Sequence, residues 1–107
     1  DYYASRWLGD VYKRQKKDSA LSMAIEGRID TTTAPQLETE LKTDLDGVTE
    51  LRLDFGPVEY ISSAGLRVLL SAQKLMNRQG KMVLTHVSES VMEIFEVTGF
   101  SDILTIE

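Results

Sequence analysis

Residues 60–70 read YISSAGLRVLL and place two hydroxyls, Ser62 and Ser63, between an apolar strand-like run and an apolar helix-like run. A serine at such a junction can do three kinds of work. It can cap the helix by accepting a backbone N–H from two or three residues inside it. It can act as a nucleophile where a base stands beside it. It can also take a phosphoryl group, which adds about −1.5 to −2 charge. The outward amides and partial positive charge of a helix start suit that group. With a helix starting near Ser63, that serine is the expected N-cap, and Ala64 and Gly65 keep the first turn low and open.

The nucleophile reading is the weakest of the three. Ser63-Ala64-Gly65 supplies half of a G-x-S-x-G elbow, but the leading position is Ile61. The single histidine, His86, falls near the end of a predicted strand, where a surface or packed role is commoner than that of a base. Cysteine is absent, which excludes disulfides, thiol catalysis and thiolate metal sites. Asp and Glu are scattered without metal-ligand spacing, and no P-loop or dinucleotide glycine pattern occurs. The expectation is a non-enzyme with no catalytic residue, no metal and no cofactor. A net charge of −5 argues against direct contact with nucleic acid. No apolar run has membrane-spanning length, and no signal core follows the N-terminus, so a cytoplasmic protein without a membrane partner is expected.

The elements that must position the serines follow from periodicity. Ser19–Ile29 alternates as a strand, with Leu21, Met23 and Ile25 on one face and a bulge expected at Gly27. Asp30-Thr31-Thr32-Thr33 is a polar loop. A helix follows, with Thr33 as N-cap, Gln36 completing a capping box, Pro35 in the first turn and Gly47 ending it. Leu37, Leu41 and Leu45 form its buried stripe. Thr49–Phe55 is a period-2 strand with Leu51, Leu53 and Phe55 inward. Val58–Ile61 leads into the serines. The second helix ends near Gly80, and Met82–Val87 is a continuous, buried strand. Ser88 caps a third helix that Gly99 stops, and Ile103–Ile106 forms a last short strand. Strands alternating with helices imply an α/β fold. The expected architecture is a mixed, mostly parallel sheet of about four strands, with helices mainly on one face and the other face partly wet.

The first fifteen residues stand apart. DVYKRQ, residues 10–15, matches a translated transposase end from sequencing libraries, and Ser5, Arg6, Leu8 and Gly9 match the adapter before it. Residues 1–15 are therefore expected to be adapter-derived and residues 16–107 a single domain whose native start is missing. A natural amphipathic arm, with Tyr2, Tyr3, Trp7, Leu8 and Tyr12 as docking residues, is the alternative.

Several stretches together resemble the STAS domain of bacterial anti-sigma factor antagonists. They are Gly27-Arg28-Ile29-Asp30, Ala34-Pro35, Ser62-Ser63-Ala64-Gly65-Leu66 and Phe95-Glu96-Val97-Thr98-Gly99-Phe100, and the likeness runs from about residue 19 to the C-terminus. The resemblance implies that Ser63, two before the helix-start glycine, is the family's phosphorylation site, ahead of Ser62. Asp30 matches the turn aspartate beside it. Many members carry aspartate where this chain has Ser62, so one carboxylate is absent from the site. The family's opening strand would have only Lys16–Asp18 left to form it, so most of that strand is expected to be lacking. The resemblance further implies partner switching. The partner surface would comprise Asp30, Thr31, Thr32, Thr33, Ser62, Ser63, Ala64, Gly65, Leu66 and Arg67. The partners would be an anti-sigma factor serine kinase and a phosphatase. A non-phosphorylated scaffold or transporter-associated STAS module is the alternative use of the same fold.

Overall fold

Two rows of apolar side chains run across the main sheet. In one, Leu21 pairs with Leu51 and Leu51 with Met82; in the other, Met23 pairs with Leu53 and Leu53 with Leu84. All six are essentially inaccessible to solvent. The computed structural model that carries them describes residues 12–17 and 20–107. Its strands are β1 (Tyr12–Lys17), β2 (Ala20–Ile25), β3 (Gly27–Ile29), β4 (Glu50–Asp54), β5 (Val58–Ile61) and β6 (Lys81–Thr85). Its helices are α1 (Ala34–Asp44), α2 (Ser63–Gln79) and α3 (Glu89–Thr98), followed by a single 3-10 turn at Phe100–Asp102. The four-stranded sheet has the order β1-β2-β4-β6, with β2, β4 and β6 parallel and β1 antiparallel to β2. β3 and β5 form a separate parallel pair.

The three helices close over one face of the sheet. Leu37, Leu41 and Leu45 from α1 and its end join Leu66, Leu69, Ala72 and Met76 from α2, and Val91 and Phe95 from α3, in one cluster with the inward strand residues. The opposite face stays partly wet. There Arg52 bridges Glu50 at 3.1 Å and Glu107 at 3.0 Å, and these carboxylates hold the guanidinium pKa above its ordinary value. Val83 is the exception on that face, so Met82–Leu84 are buried in succession. The strand ends at Thr85 rather than at the expected Val87, and His86 beyond it is exposed with a left-handed φ of 58°.

The structure departs from the sequence reading at several points. The single strand expected over Ser19–Ile29 is two strands in two sheets. Gly27, with φ at +88°, makes the turn-out that glycine alone adopts without cost, and the register slips beside it. Thr33 is not an N-cap through its side chain, because its backbone is already helical at φ −98°, ψ −26°. Gln36 forms no capping box, and its Oε1 is buried without a partner among the described residues. α1 stops at Asp44, before Gly47, whose left-handed φ of +77° serves the turn beyond. Ile103–Ile106 makes one bridge, between Leu84 and Ile106, rather than a strand. The 3-10 turn curls the chain so that Leu104 tucks into the core, leaving one residue pair in reach of β6.

An edge strand also precedes β2, and four of its six residues, Tyr12–Gln15, belong to the segment read as adapter-derived. Tyr12–Lys17 pairs with β2 from Tyr12–Ile25 to Lys17–Ala20, and the expected boundary after residue 15 falls inside it. An antiparallel ladder is made of backbone N–H and C=O groups, so a segment with little apolar patterning can still fill it. Asp1–Val11, with the arm residues Tyr2, Tyr3, Trp7 and Leu8, lies outside the described residues. The sequence of β1, YKRQKK, has four cations in six residues, a composition that discourages further strands from adding to the edge. Deleting residues 1–17 would turn the apolar β2 into the edge. The expected outcome is a melting temperature lower by several degrees and concentration-dependent association, checked by thermal unfolding and light scattering. Equal melting temperatures and no association would remove this role from β1.

Candidate functional site

The site is assembled by two loops that leave adjacent parallel strands at the same end. Ile29 of β3 pairs with Ile61 of β5, and the Ser62 N–H carries the pairing one residue further by donating to the Ile29 carbonyl at 2.8 Å. The Asp30–Thr33 turn and the Ser62–Arg67 junction are thereby held side by side. Such strand C-termini are where open α/β sheets present their functional loops.

The first loop is folded around the Asp30 carboxylate. Its Oδ1 accepts from the Thr32 hydroxyl at 2.6 Å, from the Thr32 N–H at 2.9 Å and from the Thr33 N–H at 3.2 Å. The Thr32 hydroxyl is the largest of several influences that hold Asp30 below its ordinary 3.8. Thr33 supplies the buckle: its hydroxyl donates to the Arg28 carbonyl at 2.8 Å and accepts the Asp30 N–H at 2.9 Å. This occupation is why Thr33 is unavailable as a helix cap.

The second loop settles which serine does what in the fold. α2 begins at Ser63, and its N-cap is Ser62, in an extended conformation at φ −92°, ψ 176°. Ser62 Oγ accepts the Gly65 N–H at 3.4 Å, and its carbonyl accepts the Leu66 N–H at 2.9 Å. The sequence reading placed the cap one residue late. Ser63 is the first helical residue; its side chain is exposed and its hydroxyl has no hydrogen-bond partner among the described residues. A methyl group at Gly65 would lie 2.6 Å from Ile29 Cγ2 and 2.7 Å from Ile61 Cγ1. Glycine is therefore required by close packing: only there can the helix start sit directly on the ends of β3 and β5.

Of the ten residues expected on the partner surface, Thr31, Thr32, Ser63 and Arg67 are exposed, and Asp30, Ser62 and Ala64 are half-buried. Thr33, Gly65 and Leu66 are buried and hold the loops rather than present side chains. Sequence reasoning did not foresee the groove that opens from this surface between α1 and α2. It has a volume of about 450 Å³ and is lined by Thr31, Pro35, Glu38, Ala64, Arg67 and Ser71, among others. The four-residue spacing of Ser63, Arg67 and Ser71 was the available signal. His86 stands apart from the serines: its Nδ1 lies 3.2 Å from Asp54 Oδ1, which also accepts the Gly56 N–H. Among the described residues no cluster of His, Asp and Glu could hold a metal ion, and no helix is long and apolar enough to cross a membrane.

A two-sheet α/β fold with a serine-bearing helix start beside an aspartate turn defines a class, and comparison with known proteins identifies it. The STAS domain family model matches residues 11–107, and the chain belongs to that family. Its relatives place it among the anti-sigma factor antagonists. It is 42% identical over 93 residues to the putative anti-sigma factor antagonist BtrV of Bordetella bronchiseptica, covering 85% of this chain and 80% of that protein. It is 34% identical over 97 residues to the anti-sigma-B factor antagonist of Listeria monocytogenes, covering 88% and 84%. The phosphorylated form of SpoIIAA, a Bacillus cell fate determinant, superposes with a TM-score of 0.71 at 15% identity, covering 91% of each chain, and so shares the fold.

Two outcomes follow from this geometry. Gly65→Ala should destabilise the domain by about 1–3 kcal/mol through overpacking against Ile29 and Ile61, read from denaturant midpoints. Asp30→Asn keeps an acceptor oxygen but removes the charge. Because the folded state depresses the Asp30 pKa, the charge contributes stability above the unfolded value, and that contribution is lost as pH falls through the folded one. The wild type should thus be the more stable protein at neutral pH, with the advantage vanishing in acid below the usual carboxylate range. A difference that does not change with pH would assign the effect to something other than charge.

Proposed function

We propose that this domain works by partner switching. Unmodified, it binds an anti-sigma factor that is also an ATP-dependent serine kinase, through the Asp30–Thr33 turn and the Ser62–Arg67 junction, and so frees a sigma factor in the cytoplasm. The kinase then transfers the γ-phosphoryl group of ATP to Ser63. The Ser63 Oγ–P bond forms, the bond from that phosphorus to the β-phosphate bridging oxygen breaks, and the hydroxyl proton passes to a base on the kinase. A phosphatase reverses the state by adding water across the Oγ–P bond, releasing phosphate. The names of the relatives support the antagonist role. One observation carries the choice of residue. Ser63 offers an exposed, unbonded hydroxyl, while the Ser62 hydroxyl is committed to the cap.

The switch needs no change of fold. The new group adds about −1.5 to −2 charge at a surface already held beside the Asp30 carboxylate. Against a partner carboxylate, or desolvated without a cation, such a charge costs on the order of a few kcal/mol, which is tens- to hundreds-fold in affinity. The test uses the purified cognate kinase and labelled ATP. Ser63→Ala should abolish labelling. Ser62→Ala should still be labelled, while losing about 0.5–2 kcal/mol of stability with its cap. Equal labelling of the wild type and Ser63→Ala would remove Ser63 from the role. Binding without labelling of either serine would instead favour a non-phosphorylated scaffold.

A further inference from the structure

Arg67 is the one charged side chain in the first eleven residues of α2, and among the described residues it has no ion pair and no hydrogen bond. It is exposed, four residues after Ser63, which is exposed, and four before Ser71, which also lines the groove, so the three lie on one helix face. The groove is lined by one other charged residue, Glu38, whose carboxylate is already 3.4 Å from Lys42 Nζ. On the neighbouring turn, the Asp30 carboxylate is turned into its own loop by Thr32 and Thr33. In a chain of net charge −5, an uncommitted guanidinium therefore stands one helical turn from the exposed hydroxyl.

We infer that Arg67 is a contested cation: in the unmodified domain it receives an acidic side chain of the partner, and after modification it is captured by the phosphoserine at position 63. This rests on the switch proposed above and adds to it the group through which the switch is read. An anion at position i with a cation at i+4 is the favourable order on a helix, and a phosphoserine supplies the anion with more than one charge. Guanidinium suits both uses, because its planar fork of N–H donors fits carboxylate and phosphate alike. Modification would then act twice, by adding negative charge and by withdrawing the cation that the partner needs. The occupant of the groove at Arg67 is accordingly an acidic side chain rather than a basic or apolar one.

The full chain is made with phosphoserine installed at position 63 during synthesis, so that no kinase is needed. The ionisation of the phosphate is followed by phosphorus NMR in the wild type, Arg67→Ala and Arg67→Lys. The second pKa of the phosphoserine should be lower with Arg67 than with alanine by about 0.3 of a pH unit or more, with lysine between. Binding of the cognate kinase to unmodified and modified chains completes a double-mutant cycle. Arg67→Ala should weaken the unmodified complex about tenfold and shrink the fold-loss caused by the phosphate. Identical titration curves in the wild type and Arg67→Ala overturn the inference, as does a fold-loss unchanged by the substitution. Because Arg67 is exposed, the variants should melt with the wild type, which separates these readings from a folding defect. Failure of the kinase to label Ser63 would defeat the proposed switch, whereas the phosphate titration tests Arg67 without any kinase.

Discussion

The parallel pairing of β3 with β5, continued by the hydrogen bond from the Ser62 N–H to the Ile29 carbonyl, is the constraint on which the site depends. It fixes two loops from distant parts of the chain at one level. Side chains in a strand alternate between faces, so a slip of one residue would put Ile29 and Ile61 on opposite faces, and one of them would leave the core. Those two isoleucines are 2% and 1% exposed, and they form the seat on which the first turn of α2 rests. Core burial thus enforces the register, and the register enforces the neighbourhood of Asp30 and Ser63. Gly27 makes this possible at the other end of β3. Its left-handed backbone takes the chain out of the four-stranded sheet and starts a second one within two residues of Ile25.

Much of this was legible in the sequence, and the reasons differ by element. The Leu51-Leu53-Phe55 and Leu37-Leu41-Leu45 patterns are periodic over several residues, so each position supports the others. The change of sheet at Gly27 was only half legible. Glycine signals a bend, but nothing local says that the next three residues pair with a strand about thirty residues away. The end of α2 was visible as Gly80, and the structure gives the reason: a side chain there would collide with the Thr49 carbonyl. Ser88 caps α3 and Gly99 ends it as expected, but the other two N-caps were misplaced for a different reason. Ser62 and Ser63 are adjacent and chemically identical, so local preference cannot choose between them. The choice is made by the Ser62 N–H, which must complete the ladder with Ile29 and so keeps Ser62 extended. Thr33 likewise meets every local criterion for a cap, yet closing the Asp30 loop over the Arg28 carbonyl takes its hydroxyl first. β1 was hidden because edge pairing needs backbone more than pattern.

On the proposed reading, the two serines divide structural and chemical work. A phosphate on Ser62 would crowd the half-buried turn that its hydroxyl now closes. Ser63 is already helical, its hydroxyl faces solvent, and no hydrogen bond within the described residues must break for it to react. A regulatory charge at position 63 can consequently be added and removed without disturbing the hydrogen bonds that hold the site. That separation suits a switch whose two states must both be folded.

The Asp30 turn bears on the same point from the other side. Its carboxylate is spent on Thr32 and Thr33, so it holds its loop before any partner arrives, and its depressed pKa keeps it charged across the neutral range. The negative charge next to the junction is thus fixed rather than adjustable. Against this fixed background, the Ser63 hydroxyl and the Arg67 guanidinium are free to change their interactions. Under the proposed switch, the rigid part of the site sets where a partner sits, and the pair on α2 sets whether it stays.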